Sequence, residues 1–215
     1  MHLKRQKIPK SWPILRKGTT FIVRPNFNIK QGLPILVIIR DILKVAQNRK
    51  EVKKSIHLKH ILLNNKPVIN EKNSALLFDI LTLVPSKKHY RIELTEKGKF
   101  ILKEVTEKEI NHKIAKITNK KILKNKKIQL NLNDGRNFLS AITCKVNDSV
   151  KINFKDKKVE KCLPLKEKEK VVVYAGKHRG EKGVINKINK EKKIAELSIN
   201  KKSVNVLIKQ LMVVE

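Results

Sequence analysis

Residues 171–185 read VVVYAGKHRGEKGVI, and this stretch decides the fold of the C-terminal part of the chain. Two runs of β-branched residues enclose a segment rich in glycine and cations, which predicts a strand, a tight basic turn and a second strand. The glycines stand where a reversing chain needs a positive φ or a bare backbone. We expect the turn to expose Lys177, His178 and Arg179, three residue types that suit a phosphate backbone.

The order of these glycines does not fit a nucleotide cradle. A P-loop needs Gly-Lys-Ser/Thr running into a helix, and a dinucleotide fingerprint needs the spacing G-x-G-x-x-G. Here His178 follows Lys177, and the chain continues into a predicted strand at 184–185. The sequence therefore predicts no small-molecule substrate at this turn.

The whole chain carries the same positive charge as the turn. It has 51 Lys and Arg against 19 Asp and Glu, a formal net charge of +32. Such a charge repels itself in a compact state, and nucleic acid is the usual polyanion that balances it. A membrane surface is the weaker alternative, because the sequence shows no long basic amphipathic helix, no apolar run of about 18 residues and no signal peptide. We expect an intracellular protein.

Metal binding and catalysis lack a matching pattern in the sequence. Cys144 and Cys162 form no C-x-x-C pair, and His57 and His60 have no further ligands nearby. Two buried reduced thiols are favoured, although one disulfide remains possible, and the histidines are interpreted as a surface pair. Since no nucleophile–base or paired-carboxylate arrangement stands out, we expect no enzyme, no metal and no cofactor.

Residues 1–32 contain no acid and are interrupted by three prolines. This composition predicts an extended basic arm that forms no helix, buries little surface and becomes ordered on its partner. Its candidate phosphate contacts are Lys4, Arg5, Lys7, Lys10, Arg16 and Lys17. Trp12 is expected either to stack on a base or to anchor the arm in the nearest domain.

Residues 33–89 predict a small domain with helices and a sheet. Apolar periodicity predicts a helix over 33–46 that begins with Pro34 near its first turn and carries Arg40 and Lys44 on one face. A shorter helix follows at about 50–56, with Arg49, Lys53 and Lys54 as further candidate phosphate contacts. Asn64-Asn65 then predicts a tight hairpin turn, and 77–84 a further strand.

From residue 90 onward the pattern is mostly that of β-strands. Hairpins are predicted around Lys97-Gly98 and around Asp134-Gly135, with strands at 126–132 and 136–142 beside the latter and another strand at 150–154. A central β-rich domain over 90–165 is then followed by a small β-barrel over 166–215, built from the opening motif and strands at 193–199, 203–208 and 211–214. The predicted fold class is α+β and multidomain.

The ordered set of motifs resembles one protein family nearly from end to end. The residues that carry the resemblance are His2-Leu3-Lys4-Arg5 with Pro9 and Trp12, Leu33-Pro34, Glu51-Val52-Lys53-Lys54, the hairpin over 62–68, Asp79-Ile80, Lys145-Val146-Asn147-Asp148-Ser149-Val150 and the KOW-like element at 171–185. The chain is similar to the small-subunit ribosomal protein four of the e type, found in archaea and eukaryotes. It departs from that pattern at Asn64-Asn65, where Asp-Gly is usual, and it stops soon after the predicted barrel.

The resemblance implies three parts: an RNA-binding domain shared with the bacterial protein four, a family-specific β domain and a KOW-type barrel. It also implies a structural, non-enzymatic role in the cytoplasm, bound to small-subunit ribosomal RNA and beside neighbouring ribosomal proteins. The alternatives are a KOW-containing transcription elongation factor, a protein that targets RNA modification and a chromatin protein.

Overall fold

The computed structural model describes residues 2–124, 127–140, 142–199 and 202–214. The chain divides into two compact units, residues 1–93 with 99–110 and residues 94–98 with 111–215. Most of the described structure is β-sheet, accompanied by two short α-helices. The coarse expectation of a fold rich in strands with few helices is therefore confirmed.

In the first unit, α1 (Ile35–Val37) continues into a π-helical segment (Ile38–Ile42). The predicted helix over 33–46 was too long at both ends. Leu33–Pro34 form strand β3, so Pro34 caps the helix instead of lying in its first turn. Lys44 adopts a left-handed backbone (φ 53°), which ends the helix without a glycine. The five residues 35–39, like Leu33 before them, are nearly inaccessible, so this part of the helix is buried on every side.

The second helix, α2 (Arg49–His57), confirms the shorter predicted helix. The Glu51 carboxylate accepts hydrogen bonds from the backbone N–H groups of Gln47 and Asn48, which fixes the first turn. The same bonds lower the pKa of Glu51. Val52 and Ile56 face the core, and the basic residues of α2 lie on its outer side.

The main sheet of the first unit has the order β5-β4-β7-β8-β9. Its strands are β4 (Ile61–Leu63), β5 (Lys66–Pro67), β7 (Ile80–Leu83), β8 (Lys88–Leu94) and β9 (Phe100–Glu104). Asn64 and Asn65 both take a positive φ between β4 and β5, as predicted for this turn. β7 covers only part of the strand predicted over 77–84. Strand β8 includes residue 89, where the sequence predicts a domain boundary. The division of the chain at residues 32, 89 and 165 stays a prediction.

The N-terminal segment is folded onto the first unit, so the expectation of an arm that buries little surface was wrong. It forms β1 (Leu3–Lys4), a 3-10 turn (Arg5–Lys7) and β2 (Phe21–Ile22), and a separate small pair joins β3 to β6 (Ser74–Ala75). Leu3, Ile8 and Trp12 are buried, and the carbonyl of Ser11 accepts a hydrogen bond from the backbone N–H of Phe100. Trp12 is thus an anchor, because burial of three apolar side chains outweighs the repulsion among nearby cations.

The second unit contains two five-stranded antiparallel sheets. The first has the order β12-β11-β10-β13-β14, from β10 (His112–Ile122), β11 (Ile128–Leu132), β12 (Asn137–Leu139), β13 (Ser149–Asn153) and β14 (Lys158–Leu163). Lys126 and Ala141, which were included in two predicted strands, lie outside the described residues. A hydrophobic cluster of seven buried residues, Cys144 among them, supports this sheet. Cys162 is only half-buried, which corrects the expectation for one of the two thiols.

The second sheet of this unit has the order β18-β17-β16-β15-β19. Its strands are β15 (Lys170–Val173), β16 (Lys182–Asn189), β17 (Ile194–Ile199), β18 (Lys202–Leu207) and β19 (Leu211–Val213). These strands match the predicted ones, and a separate hydrophobic cluster packs between them. Gly180 confirms the reason for glycine in the turn: its φ is 95°, and a Cβ there would lie 2.0 Å from the carbonyl oxygen of Thr95.

Candidate nucleic-acid interface

A row of basic side chains follows the outer face of α2. Arg49, Lys53 and His57 are spaced by four residues, which places them one above the other on a helix. Together with Lys72 they line a cavity of about 310 Å³, completed by Ile56, Ile69, Asn70 and Glu71. We call this cavity the α2 groove. It brings together two residues predicted from the sequence, Arg49 and Lys53, whereas the predicted Lys54 is exposed on α2 outside the groove.

Glu71 holds the Arg49 guanidinium in a fixed orientation within the α2 groove. Arg49 Nε lies 2.9 Å from both carboxylate oxygens of Glu71, and Arg49 Nη2 also donates to that carboxylate. The Glu71 side chain is 4% exposed and the Arg49 side chain 53%, so the pair is anchored at its acidic end. The pairing raises the pKa of Arg49 and lowers the pKa of Glu71. The exposed side of the guanidinium therefore faces solvent as a positioned cation.

Arg40 and Lys44 do not form the basic helix face that was predicted. Arg40 donates from Nε and Nη2 to the two carboxylate oxygens of Asp41, at 2.9 Å each, and this pairing raises the pKa of Arg40. Lys44 lies beyond the last helical residue and is exposed. The Arg40 side chain is paired and only 33% exposed, whereas Lys44 is exposed, so Lys44 is the better phosphate candidate of the two.

The six candidates of the N-terminal segment have different surroundings. Arg5 donates to the carbonyl oxygens of Leu15 and Thr19 at 2.7 Å each and to Thr19 Oγ1 at 2.8 Å, so much of its hydrogen-bonding capacity closes a loop. The other five cations are exposed: Lys4, Lys7, Lys10, Arg16 and Lys17. The structure thus separates one cation that holds the segment together from five that face solvent.

The turn after β15 exposes fewer cations than its sequence indicates. Lys177 is exposed, but His178 and Arg179 are half-buried. His178 Nδ1 lies 3.0 Å from Glu181 Oε2, and burial lowers the pKa of Arg179. Gly180 packs against the turn at residues 95–98, and this contact draws the adjacent Arg179 inward. The prediction of three exposed cations was correct only for Lys177.

Sequence reasoning missed His57 and Lys72 as members of the basic groove. His57 could have been recognised from its spacing of four and eight residues from Lys53 and Arg49. Lys72 could not, because its place beside α2 depends on the fold between 57 and 72. Sequence reasoning also missed Lys116, which is buried and donates from Nζ to the carbonyl oxygens of Ile208 and Leu211.

Other kinds of site find little support in the described ranges. No cluster of three or more His, Cys, Asp or Glu side chains suited to a metal ion occurs there. Both cysteines are free thiols, and burial raises the pKa of Cys162 to about 12, which leaves it an unreactive thiol. No helix in these ranges has the length and apolar character needed to cross a membrane.

Comparison with known proteins gives consistent matches along the chain. The model described as Ribosomal family S4e matches residues 86–159, and the RS4NT (NUC023) domain matches residues 1–27. The small ribosomal subunit protein eS4 of Methanothermobacter thermautotrophicus is 36% identical over 191 residues, covering 87% of this chain and 79% of the relative. The protein of the same name from Nanoarchaeum equitans is 33% identical over 193 residues, covering 88% and 82%.

A solved structure shares the fold. The crystal structure of the 30S ribosomal protein S4e from Thermoplasma acidophilum superposes with a TM-score of 0.72 at 23% sequence identity. The match covers 86% of this chain and 95% of that one. The described arrangement of strands and short helices is therefore one that a natural protein adopts.

Proposed function

This chain belongs to the S4e family of ribosomal proteins, and on that premise we propose that it binds and stabilises folded ribosomal RNA in the small ribosomal subunit. The family consists of structural ribosomal proteins and not of enzymes. The observation that carries the proposal is the α2 groove, where Arg49, Lys53, His57 and Lys72 converge on one cavity. A convergence of basic side chains around one cavity suits a phosphate backbone.

The mechanism rests on electrostatics and shape. Each phosphate neutralised by a Lys or Arg side chain releases condensed counterions, and this release contributes much of the affinity. The fixed Arg49 guanidinium supplies orientation, because Glu71 holds it before RNA arrives. Recognition is mainly of the RNA backbone and its folded shape, with few contacts to base edges.

The proposal also includes the arrangement of domains along the chain. We propose that the strands over 166–215 close into a KOW-type barrel, and that residues 33–89 act as an RNA-binding domain. The hydrophobic cluster shared by β15–β19 supports this C-terminal barrel, and Leu163 of β14 joins the same cluster. Neighbouring small-subunit ribosomal proteins are the proposed protein partners, and the cytoplasm is the proposed location.

The test replaces two cations of the α2 groove. The variant Lys53→Ala/Lys72→Ala should reduce the slope of log affinity against log salt for a small-subunit RNA fragment by about 1.4–1.8, since each lost phosphate contact contributes about 0.7–0.9. The control Lys155→Ala/Lys158→Ala removes the same charge from an exposed hairpin between β13 and β14. Equal slopes for both variants would contradict an RNA contact at the groove.

A sucrose gradient of lysate, run at low and then at high salt, tests the cellular role. The protein should sediment with small subunits at low salt and leave them as the salt concentration rises. Co-purification with RNA polymerase would support an elongation factor, and preference for duplex DNA would support a chromatin protein. Detectable turnover on unmodified ribosomal RNA would support a role in RNA modification.

A further inference from the structure

The N-terminal strand pair has one apolar and one polar face. Leu3 pairs with Ile22, and Lys4 pairs with Phe21. Because side chains alternate along a strand, Leu3 and Ile22 share the inward face, where Leu3 is buried. His2, Lys4 and Phe21 consequently share the opposite face, which is exposed. We call this the ribbon face.

Two aromatic rings meet on the ribbon face. The ring centroids of His2 and Phe21 are 5.3 Å apart with an interplanar angle of 48°. Phe21 is 53% exposed. Aromatic residues are scarce in this chain, at 4% of the sequence, so few rings are available to meet a ligand. An exposed ring contributes little to a core, so the pairing of Phe21 with a second ring, on a face shared with Lys4, points to a ligand.

The ribbon face is held in place before any ligand binds. Arg5 follows β1 directly, and its side chain closes the loop that leads to β2 through bonds to Leu15 and Thr19. The backbone N–H of Arg5 also donates to the carbonyl of Thr20 at 2.9 Å. A surface fixed in this way loses little conformational entropy when a partner binds.

We propose that His2 and Phe21 form a stacking platform for an unpaired base of the bound RNA, with Lys4 contacting a nearby phosphate. Stacking on aromatic side chains accepts any base, because every base has a π-face. Charge favours RNA as the occupant, because exposed Lys4 lies opposite Phe21 in the strand register and the chain has a net charge of +32. Trp12, the other aromatic candidate in this segment, is buried and cannot take this role.

This inference rests on the proposed RNA-binding function and is tested with two probes, a 12-nucleotide oligoadenosine and an RNA duplex of the same length. Phe21→Leu keeps an apolar side chain but removes the ring, and it should weaken binding to the single strand by about 5- to 100-fold. Binding to the duplex and the salt slope should stay as in the wild type, because no phosphate contact is lost. Phe21→Trp should retain the wild-type affinity for the single strand or exceed it.

The control is Phe27→Leu, which removes a ring that is 44% exposed in the same segment. It should bind both probes like the wild type. Circular dichroism melting of each variant separates loss of folding from loss of stacking, and Phe21→Trp tests the ring where Phe21→Leu fails to fold.

The outcomes separate this inference from the function on which it rests. An unchanged affinity of Phe21→Leu for oligoadenosine overturns the platform, and so does an equal loss on both probes. A normal RNA affinity combined with poor incorporation into subunits would assign the ribbon face to a protein partner instead. Failure of the wild type to bind both probes and also a folded small-subunit RNA fragment would contradict the proposed function itself.

Discussion

Arginine and lysine side chains have different roles in this protein, although a count of charge treats them alike. Arg5, Arg40 and Arg49 direct their guanidinium groups at acceptors within the protein. Many of the lysines instead extend into solvent. The cause is geometric, because the planar fork of arginine matches a carboxylate or a pair of carbonyls, whereas the lysine ammonium is strongly hydrated. Mobile surface charge therefore resides mainly on lysine.

The turn after β15 gives a prediction at the scale of one side chain. Lys177→Ala should reduce the salt slope of RNA binding by about 0.7–0.9, because it removes one exposed phosphate contact. Arg179→Ala should leave the slope unchanged but lower the midpoint of urea unfolding, since Arg179 is half-buried. Salt titrations of binding and urea melts measure the two effects. A larger loss of slope for Arg179→Ala than for Lys177→Ala would contradict the assignment.

Lys116 gives a prediction about pH. Burial lowers the pKa of Lys116 to about 7, against a value of 10.5 for a solvated lysine. Between these pH values the unfolded chain holds a proton that the folded chain has released, so the free energy of unfolding rises with pH. The unfolding free energy of the wild type minus that of Lys116→Met should therefore increase from about pH 7 to about pH 10, by at most about 1.4 kcal/mol per pH unit.

Urea unfolding of both proteins at several pH values measures this difference. Lys113→Met is the matched control, because Lys113 is equally buried but pairs with Asp134 at 2.8 Å. Its profile separates the loss of any buried lysine from the effect specific to Lys116. A flat profile for Lys116→Met would mean that the carbonyls of Ile208 and Leu211 hold the proton on Lys116 in the folded state.

At the scale of elements, the best predictions came from turns whose chemistry is local. Asn64-Asn65 and Asp134-Gly135 both form the predicted hairpin turns, because a positive φ is available to asparagine and glycine at little cost. The strands of the C-terminal sheet followed from the period of two in their apolar residues. These features need no knowledge of distant residues.

Predictions failed where a distant residue decides the outcome. The helix predicted over 33–46 ends at Ile42, with the backbone N–H of Val45 donating to the carbonyl of Ile39, and no glycine or proline marks that end. The sequence predicts an extended N-terminal arm, but the carbonyl of Ser11, next to buried Trp12, accepts a hydrogen bond from the backbone N–H of Phe100, much later in the chain. Only part of the α2 groove could be predicted. Arg49 and Lys53 lie on one helix, whereas Glu71 and Lys72 belong to a later segment that the fold places beside it.

The turn between β4 and β5 yields a prediction about an element. Asn64 Nδ2 donates to Asp79 Oδ1 at 2.7 Å, and Asn64 Oδ1 accepts from the backbone N–H of Ile80 at 3.0 Å, in a buried position. Asn64→Ala should lower the unfolding free energy by about 2–4 kcal/mol, because it leaves buried polar groups unsatisfied. Asn65→Ala is the control, since it shares the positive φ but is exposed. Equal losses in urea melts would assign the effect to backbone strain alone.

At the scale of the whole molecule, charge opposes the stability of the free protein. A net charge of +32 on 215 residues repels itself in any compact state, and the self-repulsion falls as salt screens it. Bound RNA removes the same repulsion by supplying negative charge. Salt and RNA thus stabilise the fold through one electrostatic cause, but they compete, because salt also displaces RNA from the cations.

This competition predicts opposite effects of salt on the melting temperature with and without RNA. The free protein should melt at a higher temperature as salt rises from about 50 to about 200 mM, because screening weakens the repulsion among its cations. RNA at about 100 times its dissociation constant should add about 2.7 kcal/mol of stability at the lower salt concentration. A site with about 6–10 phosphate contacts loses about 10³–10⁵ in affinity over that range, so this added stability should vanish.

Differential scanning calorimetry at both salt concentrations measures the two trends. A gain from RNA that persists at the higher concentration would show that contacts other than phosphate dominate, because only the electrostatic part of the affinity is removed by salt.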